Sequence, residues 1–203
     1  MRFISVFLLS FFFLSPVQAQ SFEVMAGNER LFIDAQFLRF FDQKKNWSLF
    51  SRARATSNYE GDNTNLFTGG YLNYTSKKGL GGTLVGRIAT ANAGMDIGAH
   101  FFKAKKKWML YALASVVLQD ELSYSWFSIF RFTPNIGDDW KLYNSVELFS
   151  NFNKKGHTFS VQRIRIGLDF KGYQFGLAGN FSELGSSNIT TDQNIGGFIR
   201  KQF

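Results

Sequence analysis

The sequence predicts an all-β chain: a closed, antiparallel, up-and-down transmembrane β-barrel of ten to twelve strands. Twelve is preferred over eleven because closed barrels of this kind carry even numbers. Three observations predict it. Between Lys107 and Thr133, apolar and polar residues alternate through two segments joined by the turn Gln119-Asp120-Glu121, so one surface is continuously greasy and the other polar. The alternating segments run to about 10–13 residues, long against the usual five or six of globular strands and suited to a tilted crossing of hydrocarbon. Tryptophans and tyrosines stand at segment ends on the apolar side, where a membrane interface would hold them.

Composition narrows the chemistry. The chain has no Cys, which removes disulfides, thiol nucleophiles and Cys-held metals together. With 25 Phe, 19 Gly and only 2 Pro it suits long strands, aromatic rings fitting the pleat and glycine permitting close backbone approach. Residues 1–19 form an expected cleaved export signal: Met1-Arg2, an apolar run from Phe3 to Leu14, and a small-residue site at Val17-Gln18-Ala19. Residues 20–203 then make a single domain. The longest later apolar run, Trp108 to Leu118, is too short for a spanning helix of roughly 20 residues. A membrane location therefore requires a closed barrel, which satisfies every backbone group without water.

The elements follow in order. Phe22, Val24 and Ala26 mark a short first strand or an ordered arm. From Arg30 to Phe41, Leu31, Ile33, Ala35 and Phe37 oppose Phe32, Asp34, Gln36 and Leu38 before the turn Asp42-Gln43-Lys44-Lys45-Asn46. Trp47 to Tyr59 places Trp47, Leu49, Ala53, Ala55 and Tyr59 against Arg52, Arg54 and Thr56, and two arginines on one face need water or carboxylates opposite them. A polar loop, Glu60 to Asn65, leads to a strand over 66–75 and the turn Ser76-Lys77-Lys78-Gly79. Leu80, Leu84 and Ile88 then oppose Thr83, Val85 and Arg87, and after a turn over 91–94 Met95, Ile97, Ala99 and Phe101 oppose Asp96, Gly98, His100 and Phe102.

In the pair that begins at Trp108, Leu110, Ala112, Ala114, Val116 and Leu118 share the apolar face with Leu122, Tyr124, Trp126, Phe130 and Phe132, while Glu121, Ser123, Ser125 and Arg131 fall behind it. Pro134 to Asp139 breaks the pattern. Trp140, Leu142, Val146 and Leu148 resume outward, with Lys141, Tyr143, Ser145, Glu147 and Asn151 inward. From His157 to Phe170 the phase shifts between Phe159/Val161 and Ile164/Ile166/Leu168/Phe170, predicting a bulge near Gln162-Arg163. Lys171-Gly172 is a two-residue hairpin pairing Phe170 with Tyr173, Leu168 with Phe175 and Ile166 with Leu177. Residues 182–194 read as the longest loop and Ile195 to Phe203 as the last strand.

The side that faces water decides the biology. A soluble barrel fills its middle with large apolar residues and presents charge outside. Here the end-placed aromatics Trp47, Tyr59, Trp108, Trp140 and Tyr173 lie on the apolar face as a girdle. The polar face, carrying Arg52, Arg54, Arg87, Arg131, Arg163, Arg165, Glu147, Asp96, His100 and Asp169, is expected to line the lumen and face solute. Lysines cluster at turns, as solvated strand ends that discourage edge pairing or as contacts to anionic lipid headgroups.

With the signal, the succession of hairpins and the terminal run Gly196-Gly197-Phe198-Ile199-Arg200-Lys201-Gln202-Phe203, the chain resembles the small, porin-like outer-membrane β-barrel proteins of Gram-negative bacteria. The resemblance implies residence in the outer membrane among its lipids. It also implies recognition of a C-terminal aromatic by the barrel-assembly machinery, here Phe203 with Ile199 and Ile195 on its face, although Lys201 departs from the apolar residue usual at that step.

Three functions compete. A narrow pore or binding barrel would use the arginine excess to favour anionic solutes. A plugged barrel would pair those charges across the lumen and serve as a scaffold or anchor for partners. A lipid hydrolase would need a Ser/His constellation, but His100 and Asp96 stand about 13 Å apart along one strand, His157 reads as solvated beside its turn, and no motif unites nucleophile, base and oxyanion donors. The expectation is therefore a non-enzymatic barrel with no cofactor, no metal and no nucleic-acid partner.

Overall fold

A computed structural model describes residues 19–90, 92–118, 122–185 and 189–203. The alternation read from the sequence becomes twelve strands: β1 (Ala19–Gly27), β2 (Arg30–Phe40), β3 (Trp47–Asn58), β4 (Thr64–Thr75), β5 (Leu80–Ala89), β6 (Ala93–Lys105), β7 (Trp108–Leu118), β8 (Ser123–Phe132), β9 (Trp140–Asn153), β10 (Gly156–Phe170), β11 (Tyr173–Leu184) and β12 (Thr190–Gln202). Each pairs antiparallel with its sequence neighbours, and β1 pairs with β12 to close the ring. The thin signal before Asn28 is thus a full strand, with Glu23 opposite Arg200 on one side and Asp34 on the other. Closure leaves no edge. Residues 1–18 of the expected signal and the turn Gln119-Asp120-Glu121 lie outside the described residues, while Ala19 opens β1. Val116 pairs with Tyr124 and Val117 with Ser123, the register that turn requires.

Side chains divide as the period of two demands. Trp126 is 44% exposed on the outside, whereas Arg131 reaches from β8 to Gln36 of β2, across the bore. Leu177, Ile166, Leu84, Ile97 and Tyr124 are likewise exposed, and Asp34, Arg52, Asp96, Glu147 and Arg165 are buried inside. The apolar band is external and the charge internal, the inverse of a soluble barrel.

The Lys171-Gly172 hairpin forms in the expected register. Lys171 (φ 51°) and Gly172 (φ 82°) both take left-handed backbone, the geometry of a type I′ turn whose twist matches its strands.

Two expectations are corrected. The irregularity in β10 lies between His157 and Phe159, not at Gln162-Arg163. Phe159 and Val161 broke the apolar phase because they point into the barrel with Arg163 and Arg165, and Val161 is buried there. The loops over 60–65, 91–94 and 182–194 are also shorter than expected, since Leu184 still pairs with Thr190 and Ser57 with Thr64. Polarity suggests that these segments leave the sheet, but residues 64–65, 93–94, 182–184 and 190–194 continue the ladder.

The rims differ. Trp47, Trp108, Trp140 and Tyr173 open odd-numbered strands and share the terminal rim, where β1 begins and β12 ends, while Tyr59 stands at the other, its hydroxyl donating to the Gly27 carbonyl at 2.5 Å. The terminal rim also carries lysines at its turns and strand ends, several stacked on rings: Lys45 on Phe40, Lys105 on Trp108, Lys171 on Phe170 and, at 3.5 Å, Lys201 on Tyr173.

Candidate functional site: the barrel interior

The interior is built from alternate residues of facing strands. In a ring of twelve, β3 and β9 stand diametrically opposed, as do β2 and β8. Near the middle of β3, the Arg52 guanidinium donates twice to Asp34 of β2, from Nε at 2.6 Å and Nη2 at 2.8 Å, and from Nη1 to Glu147 of β9 at 2.6 Å. This single side chain bridges opposite walls. Arg54 joins the same two carboxylates, at 3.2 Å to Asp34 and in a short contact with Glu147, and Arg163 of β10 donates to Glu147 at 2.6 Å. The carboxylates that the paired arginines of β3 demand are therefore Asp34 from the other strand of the same hairpin and Glu147 from across the bore.

A second cluster serves the seam. Arg165 donates from Nε to Glu23 at 2.8 Å and from Nη1 to the Gly179 carbonyl and the Asn180 side chain. Arg200 donates to Tyr143 Oη at 2.9 Å and to Ser21 Oγ at 2.7 Å, with Glu23 at 3.9 Å. Neither Glu23 nor Arg200 stood among the expected lumen residues, although Arg200 alternates with Ile199 and Glu23 with Phe22 and Val24, the signal that would have found them.

The remaining expected residues are dispersed. Arg87 pairs with Asp96 at 3.3 Å. Asp169 accepts from Gln174 and from the Gly172 amide, supporting the hairpin. His100 lies between two threonines, Nδ1 to Thr83 Oγ1 at 2.7 Å and Nε2 to Thr75 Oγ1 at 2.9 Å, apart from Asp96 as expected. His157, expected to be solvated, instead packs on Phe152 and bonds the Gly185 carbonyl and Ser160 Oγ. Among the described residues no cluster of His, Asp and Glu could hold a metal ion.

Charge does not fill the interior alone. Met25, Phe32, Tyr143, Ala178 and Phe198 form one buried apolar cluster, Phe32 lying beneath the guanidiniums of Arg163 and Arg165. Val85, Leu113, Phe127 and Ile129 form another, against Tyr71, Met109, Tyr111 and Phe149. Above the ion network, toward the terminal rim, lies a cavity of about 280 Å³. It runs from Gln20, Lys45 and Gln202 at the rim to Arg131 and Arg200.

No family model and no curated protein sequence matches the chain. Solved structures do. The KdgM porin in complex with disordered oligogalacturonate has a TM-score of 0.51 at 7% identity, over 91% of this chain and 98% of that one. The NanC porin has a TM-score of 0.50 at 7% identity, over 90% and 98%. Such low identity with nearly complete coverage is a likeness of fold: a closed twelve-stranded barrel of the porin type.

Proposed function

We propose that this chain is an outer-membrane barrel that admits and holds small anionic solutes in a bore constricted by its own ion network. The observation that carries the reading is the Arg52 bridge from Asp34 to Glu147, which occupies the line between opposite walls where a wide pore would be open. Around it Arg52, Arg54, Arg87, Arg131, Arg163, Arg165 and Arg200 face inward against Glu23, Asp34, Asp96, Glu147 and Asp169, leaving an excess of fixed positive charge that favours anions. Oligogalacturonate, held by the KdgM porin, is itself polyanionic, which supports the same preference here.

The outer-membrane location is supported by the external apolar band, by the aromatic girdle at Trp47, Trp108, Trp140 and Tyr173 with Tyr59 at the opposite rim, and by the fold. Phe203 and Ile199, both exposed, are the residues we assign to recognition by the assembly machinery.

The plugged, scaffolding alternative draws on one observation of its own. Met25, at 0% exposure, and Tyr143, at 1%, fill one side of the bore as a core residue would. Planar-bilayer recording separates the two: small, anion-selective conductance is expected, and no channel events at any salt concentration would leave only the closed barrel.

A further inference from the structure

We infer that the 280 Å³ cavity at the terminal rim is a binding site for an amphipathic monocarboxylate, a small acid with an apolar body, rather than for a sugar acid or an inorganic anion. The inference rests on the anionic-solute reading and specifies its ligand. At the inner end of the cavity two guanidiniums converge on one neutral acceptor: Arg131 Nη2 donates to Gln36 Oε1 at 3.0 Å and Arg200 Nη2 to the same oxygen at 3.3 Å. Two cations sharing one amide oxygen is an arrangement that an anion completes, since each guanidinium offers five donors and matches a carboxylate in bidentate fashion. Donors remain unused, for Nε of both Arg131 and Arg200 is buried without a hydrogen-bond partner. Arg131 has no carboxylate at ion-pair distance among the described residues, unlike Arg52, Arg54 and Arg163 in the network below.

The walls decide the rest of the ligand. Phe50, Phe102, Met109, Phe127 and Ile129 line the space between the rim and the guanidiniums. Although Ser48, Asn73, Thr75 and Tyr111 also line the space, a polyhydroxylated acid would lose water from every hydroxyl that meets the five apolar side chains, whereas an aliphatic or aromatic body removes apolar surface from water at both faces. At 280 Å³ the cavity falls just below ordinary ligand sites of roughly 300–1,000 Å³, so it suits a medium-chain or single-ring acid and not an oligomer.

The test is calorimetric titration of the protein in lipid nanodiscs, with empty nanodiscs as the partition control and octanoate, octanol and gluconate as probes. Octanoate is expected to bind saturably, at least tenfold tighter than either of the others. Arg131→Gln, which keeps a donor toward Gln36, should weaken octanoate at least tenfold. Phe102→Gln, on β6 and not paired with either arginine, alters the wall and should weaken octanoate while leaving gluconate unchanged. Equal affinity for gluconate would overturn the inference and leave the anionic reading standing. Equal affinity for octanol, or full octanoate affinity in Arg131→Gln, would overturn it by removing anion recognition from the cavity, a result independent of whether the barrel conducts.

Discussion

Replacing Glu147 by Gln tests whether the transverse ion network holds the bore. Glu147 is 5% exposed and accepts from Arg52, Arg54 and Arg163, two of these bonds at 2.6 Å. Glutamine preserves volume and one acceptor oxygen but removes the charge, leaving Arg52 and Arg54 with Asp34 as their carboxylate and Arg163 with none at ion-pair distance among the described residues. Removing one partner of a buried pair typically costs about 3–5 kcal/mol because the survivors remain desolvated. With a urea dependence of ~2 kcal/mol per M, that cost lowers the unfolding midpoint by about 1.5–2.5 M. The assay is urea unfolding of the barrel in lipid vesicles, followed by tryptophan fluorescence and by the mobility shift between folded and unfolded forms. Arg52→Gln in the Glu147→Gln background should cost much less than it does alone, since the residues act as one unit. An unchanged midpoint in Glu147→Gln, or strict additivity in the double variant, would show that the bridge across the bore carries no energy.

Other outcomes follow from the same geometry. Leu177, 73% exposed in β11, should cost roughly 2–4 kcal/mol when changed to Arg in a bilayer if it faces mid-depth lipid, against about 0.5 kcal/mol or less on a water-exposed surface. Vesicle refolding distinguishes these values. Deleting Phe203 should slow insertion in cells several-fold while leaving spontaneous refolding into pure lipid nearly unchanged; equal loss in both would make the residue structural only. In the turn after β2, the Asp42 carboxylate accepts from the backbone amides of Trp47 at 2.7 Å and Asn46 at 3.2 Å, and the Trp47 bond chiefly holds its pKa below the ordinary value. Because the folded value is depressed, this anchor is complete above the unfolded pKa and is lost as pH falls through the folded one. The Trp47 amide resonance should therefore titrate with a midpoint below ~3.9, and a midpoint at or above it would refute the assignment.

How much was legible depended on which physical question each residue answers. Alternation gives the face a side chain occupies, so the strands, the hairpin at Lys171-Gly172 and the opposite directions of Trp126 and Arg131 could be read directly. Alternation is silent about what stands across the bore. Arg52 announced a need for carboxylates, but only the ring order reveals that one comes from Glu147 on the opposite wall. For the same reason Phe127, Ile129 and Phe32 went unmarked as interior filling, and the inward pair Phe159 and Val161 was read as a phase break. Strand ends were lost wherever composition turned polar before the backbone ladder stopped, as at Thr190 to Asn194.

The seam between β1 and β12 has a temporal consequence. Its partners, such as Ser21 and Gln202, lie almost a whole chain apart, so the ring cannot be completed until the last strand has been delivered. Where Ala26 and Gly27 meet Gly197 and Gly196, side chains offer little grip, and Asn194 fastens that end by accepting from the amides of Glu29 and Arg30 and donating to the Arg30 carbonyl. A newborn barrel is therefore an open scroll with two bare margins, and beyond the backbone ladder it is clasped at one end by Asn194 and Asn28 and further along by Arg200 on Ser21.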